Sequence, residues 1–179
     1  MIPRGNVDLI FNHTEYQVYL GEGIMYFKPT NNERGRVLLL TPPGIKPQFY
    51  SIIAVVLSKA GVGVFMPTRP TPCNEESLKR ACLRFVNSLK PDLTVSLGFR
   101  LGLDHEVSLG FTGDFLREQL SNALTPGSMH HVDPGVCGEL IGKLTGGFHM
   151  VVSGLGVKEL VGIKDLVLRA LGSVKNKAH

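Results

Sequence analysis

The chain has 179 residues, 43% of them hydrophobic and 19% charged, with a net charge of +4 at neutral pH and a mean hydropathy of +0.12. That length and apolar content support one domain with a sizeable core and exclude a disordered class. The small positive charge is spread along the chain without aromatic interleaving, so no nucleic-acid partner is expected. No run approaches the ~20 apolar residues of a membrane span, so no membrane partner is expected either.

The three cysteines, Cys73, Cys82 and Cys137, have no metal-type spacing. Their odd number suggests a reducing compartment and argues against a disulfide framework. Residues 1–6 lack the apolar core of a signal peptide. The expectation is a soluble, cytoplasmic protein. The absence of tryptophan and the scarcity of glutamine fit a thermophilic source.

Residues 7–11, 17–20 and 24–27 are short and β-rich, and Gly21-Glu22-Gly23 supplies a turn between the last two. Residues 37–40 are continuously apolar, as in a strand covered on both faces. Phe49, Ile52, Ile53, Val56 and Leu57 recur at helical spacing, which predicts a helix from about 49 to 60 with Gly61 past its end. Residues 62–66 read as the next strand. The proline-rich stretch 67–72 is neither helix nor inner strand. Asn74 caps a helix with Glu75 and Glu76 in its first turn; the helix buries Leu78, Cys82, Phe85 and Val86 and ends near Leu89.

Residues 93–97 form the third apolar strand. Its Val95-Ser96-Leu97-Gly98-Phe99 recurs as Val107-Ser108-Leu109-Gly110-Phe111. The gap is too short for a crossover helix, which predicts an antiparallel hairpin or an edge strand. Beyond it, helices are expected at 115–124 and 136–144, strands at 129–132 and 148–153, and a last helix from Val157 or Lys158 to Leu171, ended by Gly172. The alternation predicts an α/β fold. It is a three-layer α/β/α domain spanning 1–179 with a mainly parallel or mixed sheet and an N-terminal β-meander, residues 1–35, at its edge.

In such a sheet, ligands sit beyond the carboxyl ends of the strands. The loops expected there are 41–48, 67–74, 98–106 and 154–158. The first contains Gly44 and Lys46, suited to an anion, or is a rigid proline turn; it lacks the Gly-Lys-Ser/Thr of a phosphate loop. Asp104-His105-Glu106 and His130-His131-Val132-Asp133 carry metal-ligand types. His105, His130, His131 and Asp133 are therefore the candidates for a divalent metal such as zinc, although neither cluster has a diagnostic spacing and the first also reads as a solvated hairpin tip. His149, in an apolar run, reads as a core histidine. Cys137, near a helix start, reads as a buried thiol rather than a nucleophile.

Pro91-Asp92-Leu93-Thr94-Val95-Ser96-Leu97-Gly98-Phe99, then Glu106 to Phe111 and the helix expected from Phe115, resemble one part of the carboxypeptidase-like zinc amidohydrolases of the poly-γ-glutamate hydrolase and N-formylglutamate amidohydrolase type. The resemblance covers about a fifth of the chain. Gly156-Val157-Lys158-Glu159-Leu160 is similar to the segment where that family carries a catalytic glutamate, which would give the role to Glu159. Two departures stand out. Pro43-Gly44-Ile45-Lys46-Pro47 replaces the first His-x-x-Glu zinc pair, and Leu97 or Gly98 replaces the later zinc histidine.

Two functions follow as expectations. One is a metal-dependent hydrolase of an amide or ester, with Glu106 or Glu159 as base and a small-molecule or peptide-like substrate. The other is a non-catalytic α/β domain that binds a small anionic ligand or a protein partner.

Overall fold

The computed structural model describes residues 7–41, 43, 44, 46–97, 102–109, 129–131, 150–152 and 157–177. Strands β1 (Asp8–Asn12), β2 (Tyr16–Leu20) and β3 (Ile24–Pro29) form an antiparallel meander. Gly23, at a φ of 74°, makes the tight turn into β3, where Gly21 N–H donates to the Ile24 carbonyl at 2.8 Å. β4 (Gly35–Leu40) leads through a 3-10 turn, Pro47–Tyr50, into α1 (Ser51–Lys59) and β5 (Val62–Pro67). Helix α2 (Glu75–Leu89), β6 (Leu93–Leu97) and β7 (Glu106–Leu109) follow. The sheet order is β1-β2-β3-β5-β4-β6-β7. β3 runs antiparallel to β5, while β4, β5, β6 and β7 are parallel, so the sheet is mixed with the meander at one edge. β8 (Met129–His131) and β9 (Met150–Val152) pair antiparallel as a separate ribbon, and α3 (Val157–Lys177) closes the chain.

Strand alternation divides the core into two layers. Val37, Leu39, Val64, Met66, Leu93 and Val95 pack with Ile53 and Leu57 of α1 and with Ile163, Val167 and Leu171 of α3. On the other face Ile24, Tyr26, Leu38, Leu40 and Phe65 pack with Leu78, Cys82 and Leu89 of α2. β4 is thus covered on both sides, which accounts for its uninterrupted apolar run.

α1 turns its stripe slightly from the expected one. Ile53, Ala54, Leu57 and Ser58 are buried and Ile52 is exposed. α2 matches its expected cap, with the Asn74 side chain accepting from Ser77 N–H at 3.0 Å. α3 does not stop at Gly172. That glycine is exposed, and a surface glycine costs a helix only about 1 kcal/mol relative to alanine.

β7 corrects the sequence reading. It is an edge strand, as one expectation had it, but it pairs parallel to β6 rather than as an antiparallel hairpin. The repeat lies side by side in register: Val95 opposite Val107, Ser96 opposite Ser108, Leu97 opposite Leu109. No crossover helix is needed for the return. Glu106 sits opposite Thr94, so the chain must come back about 10 Å along the strand and about 5 Å sideways. The residues between Leu97 and Glu106 can reach about 30 Å, which leaves ample slack.

Among the described residues no helix is long and apolar enough to cross a membrane.

Candidate functional site

β4 is the strand at which the topology reverses. The chain leaves it through α1 to β5 on one side and later reaches β6 on the other side through α2, which packs on the opposite face. The carboxyl end of β4 is therefore where an open α/β sheet forms a ligand crevice. Two segments meet there: residues 41–48, which follow β4, and residues 68–74, which follow β5. Gly44 N–H donates to the Thr71 carbonyl at 3.1 Å, and Gln48 Nε2 donates to the Thr68 carbonyl at 2.9 Å. Gly44 has a φ of 75°, a backbone state that favours glycine.

Two hydroxyls in these segments stand out. Thr41 is 1% exposed and Thr71 5% exposed, and neither Oγ1 has a hydrogen-bond partner among the described residues. A buried hydroxyl left unpaired costs about 1–3 kcal/mol, so such groups are rare and call for an explanation. The same two segments carry exposed Lys46 and Arg69. The neighbouring Tyr50 is buried, and burial pushes its phenol up to about 12, so it stays protonated at neutral pH.

The first polar cluster read from the sequence lies beside this region, at the β6–β7 pair. Glu106 is turned inward. Its Oε2 accepts from Ser96 Oγ at 2.7 Å, and its Oε1 accepts from the backbone N–H groups of Gly102 and Leu103 at 2.7 and 2.9 Å. Ser96 itself is fully buried. This carboxylate pins the turn that enters β7. Burial pushes the Cys82 thiol up to about 12, with the Glu106 charge adding to the effect, so Cys82 is a buried, unreactive thiol. His105, at a φ of 56°, is exposed and gives its backbone carbonyl to Thr94 N–H. Glu106 and His105 thus diverge.

The remaining candidates fall elsewhere. His130 and His131 are in β8, opposite Val151 and Met150 of β9. Asp133, Cys137 and His149 lie outside the described residues, and Glu159 belongs to the first turn of α3. Among the described residues no three His, Cys, Asp or Glu side chains come together as a metal site. Cys73, just before α2, is disulfide-bonded, which departs from the reducing compartment suggested by the cysteine count.

Sequence reasoning singled out the loop after β4 and its Lys46 but passed over Thr41, Thr71 and Ser96. Nothing in their sequence marks them, since a threonine beside prolines reads as ordinary loop. Only burial without a partner sets Thr41 and Thr71 apart.

No protein-family model matches the sequence, and no curated protein matches it. Among solved structures it is similar to a candidate esterase from Staphylococcus aureus, with a TM-score of 0.30 and 12% identity, over 54% of this chain and 34% of that one. The chain spans about a third of that protein's length, and a likeness at this level carries no functional argument.

Proposed function

We propose that this protein binds a small anionic ligand in the crevice beyond the carboxyl end of β4. The observation that carries the reading is the pair of buried hydroxyls, Thr41 and Thr71, left without partners among the described residues in two segments that hydrogen bonds tie together. A ligand oxygen accepting from them would supply the missing bonds. Lys46 and Arg69 in the same segments supply positive charge at the rim.

The stretch after β6 supports binding over cleavage by a serine nucleophile. Gly98-Phe99-Arg100-Leu101-Gly102 has the glycine spacing of the Gly-x-Ser-x-Gly nucleophile turn, which also follows a sheet strand, but with arginine where the serine would stand.

The test is thermal unfolding of the purified protein against phosphate, sulfate and short dicarboxylates, repeated for Thr41→Val and Thr71→Val. The wild type is expected to rise in Tm with at least one anion, a stabilisation of about 2.7 kcal/mol when the ligand is at a hundred times its Kd. Each valine variant is expected to lose that gain. A gain that survives both substitutions, or no gain with any anion, overturns the reading.

The second reading is a hydrolase of an amide or ester bond of the zinc amidohydrolase type, with Glu159 as base and ligands drawn from His130, His131 and Asp133. What favours it is the likeness of the Glu159 segment to that family's glutamate-bearing segment. Elemental analysis of the purified chain separates the two: about one bound metal per chain, lost in His130→Ala or His131→Ala, selects the hydrolase.

A further inference from the structure

Segment 68–74 brings Thr71 to the crevice, and burying an unpaired hydroxyl works against keeping it there. Thr71 is buried, while Arg69, Pro70 and Pro72 around it are exposed. Hydrogen bonds fasten the segment at Thr68 and Thr71. Thr68 N–H donates to the Gly23 carbonyl at 3.1 Å, Gly44 N–H to the Thr71 carbonyl at 3.1 Å, and Gln48 Nε2 to the Thr68 carbonyl at 2.9 Å. Pro70 and Pro72 have no N–H to add to these. A covalent tie follows close behind Thr71, because Cys73 is disulfide-bonded. The chain has three cysteines, and Cys82 is free. The count therefore assigns Cys137 as the partner of Cys73. The bond closes a loop that contains α2, β6 and β7. A cross-link over a long loop removes more freedom from the loosened chain than one over a short loop.

We propose that the Cys73–Cys137 disulfide is a redox switch on the anion crevice: oxidised, it keeps Thr71 in its binding place, and reduced, it frees segment 68–74 and weakens binding. The inference rests on the anion-binding reading of the crevice. The chemical step is thiol–disulfide exchange with a dithiol. One thiolate of the dithiol attacks a sulfur of the protein bond, its second thiol resolves the mixed disulfide, and the dithiol departs as its own disulfide. Two electrons and two protons pass to the protein, and Cys73 and Cys137 become thiols. Cys73 is partly exposed, so a reductant can reach the bond. Cys82 is fully buried and its thiol is pushed up to about 12, which keeps it out of the exchange. The element that responds is segment 68–74, whose residues are mostly exposed, the kind of segment that opens at low cost.

The test compares the full chain, air-oxidised, with the same chain treated with dithiothreitol. Peptide mapping of the oxidised form is expected to join Cys73 to Cys137 and leave Cys82 free. Hydrogen exchange at Gly44, whose N–H donates to Thr71, is expected to speed up on reduction. Thermal unfolding with phosphate, sulfate and short dicarboxylates is expected to give a Kd about tenfold weaker in the reduced form, within the usual range of coupling between sites. Cys73→Ser is expected to match the reduced chain and to ignore oxidant. A map without the bond between residues 73 and 137, or Gly44 exchange that reduction leaves unchanged, overturns the switch. So does an equal anion response in the two forms, which leaves the crevice reading standing. A response in neither form overturns that reading and the switch with it.

Discussion

The two ends of the central strands β4 and β5 treat buried polar groups in opposite ways. At the amino end, Tyr26 Oη donates to Glu33 Oε1 at 2.7 Å and Arg36 Nε donates to the same oxygen at 3.0 Å. The Arg36 guanidinium lies 5.9 Å over the Tyr26 ring, and the Arg36 backbone N–H donates to Asp92 Oδ2 at 2.9 Å. Every one of these groups has a partner. At the carboxyl end, the Thr41 and Thr71 hydroxyls have none among the described residues. The same sheet therefore closes its polar accounts at one end and leaves them open at the other. The open end coincides with the topological reversal, the place where open α/β sheets bind their ligands.

Alkali is expected to produce the largest effect, because it strains both ends together. Burial, the hydrogen bond to Glu33 and the Glu33 charge all raise the Tyr26 phenol above its usual value. Burial raises Tyr50 and Cys82 to about 12. These groups hold their protons in the folded chain at a pH where the unfolded chain has released them. Their contribution is complete below pH ~9 and stability falls as pH rises from ~9 to ~12, the sign required when the folded state binds more protons. Urea unfolding at stepped pH measures it; a flat profile above pH 9 contradicts it.

Glu33→Ala breaks the closed end. It removes the acceptor shared by Tyr26 and Arg36 and is expected to cost about 2–3 kcal/mol in chemical denaturation. Gly63→Ala attacks the same cluster from the sheet, since a methyl group there would collide with Glu33 Oε1 and crowd Arg36 Cγ. Because the Glu33 side chain can swing aside, the expected cost is smaller, about 1–2 kcal/mol, and it should nearly vanish in a Glu33→Ala background. Independent, additive costs would refute that coupling.

At the open end the sign reverses. Thr41→Val and Thr71→Val remove unpaired hydroxyls and are expected to stabilise the unliganded chain by about 1 kcal/mol each, while abolishing its response to anions. Destabilisation of the unliganded chain by both would show that the hydroxyls are satisfied. Smallest of all, Lys46→Ala and Arg69→Ala should leave unliganded stability within about 0.5 kcal/mol, as exposed positions do. They should weaken the anion response more at low salt than at high salt.

Much of the sheet was legible because its signals are local. The apolar run at 37–40, Asn74 with its two following glutamates, and the strand at 93–97 each occupy the predicted place. The direction of β7 was not legible. It depends on how far a short connection can reach, and the usual length of parallel crossovers misled the reading. The exposure of Ile52 was hidden for a related reason: both neighbours in an Ile52-Ile53 pair fit a helical stripe, and only packing against the sheet selects Ile53. In the site, Lys46 and Glu106 were visible as residue types. The roles of Thr41, Thr71 and Ser96 were not, because an unpaired hydroxyl is a property of surroundings and leaves no trace in composition or spacing.

The in-register repeat also bears on how the chain folds. Val37 and Leu93, partners across β4 and β6, are far apart in sequence, whereas Val95 and Val107, partners across β6 and β7, are twelve residues apart. Closing the shorter loop costs less chain entropy, by about 1.4 kcal/mol on logarithmic scaling. Parallel pairing, ordinarily a late and distant event, becomes nearly as local here as a hairpin. The β6–β7 pair can therefore form early and offer β4 a ready-made edge on which the central sheet assembles.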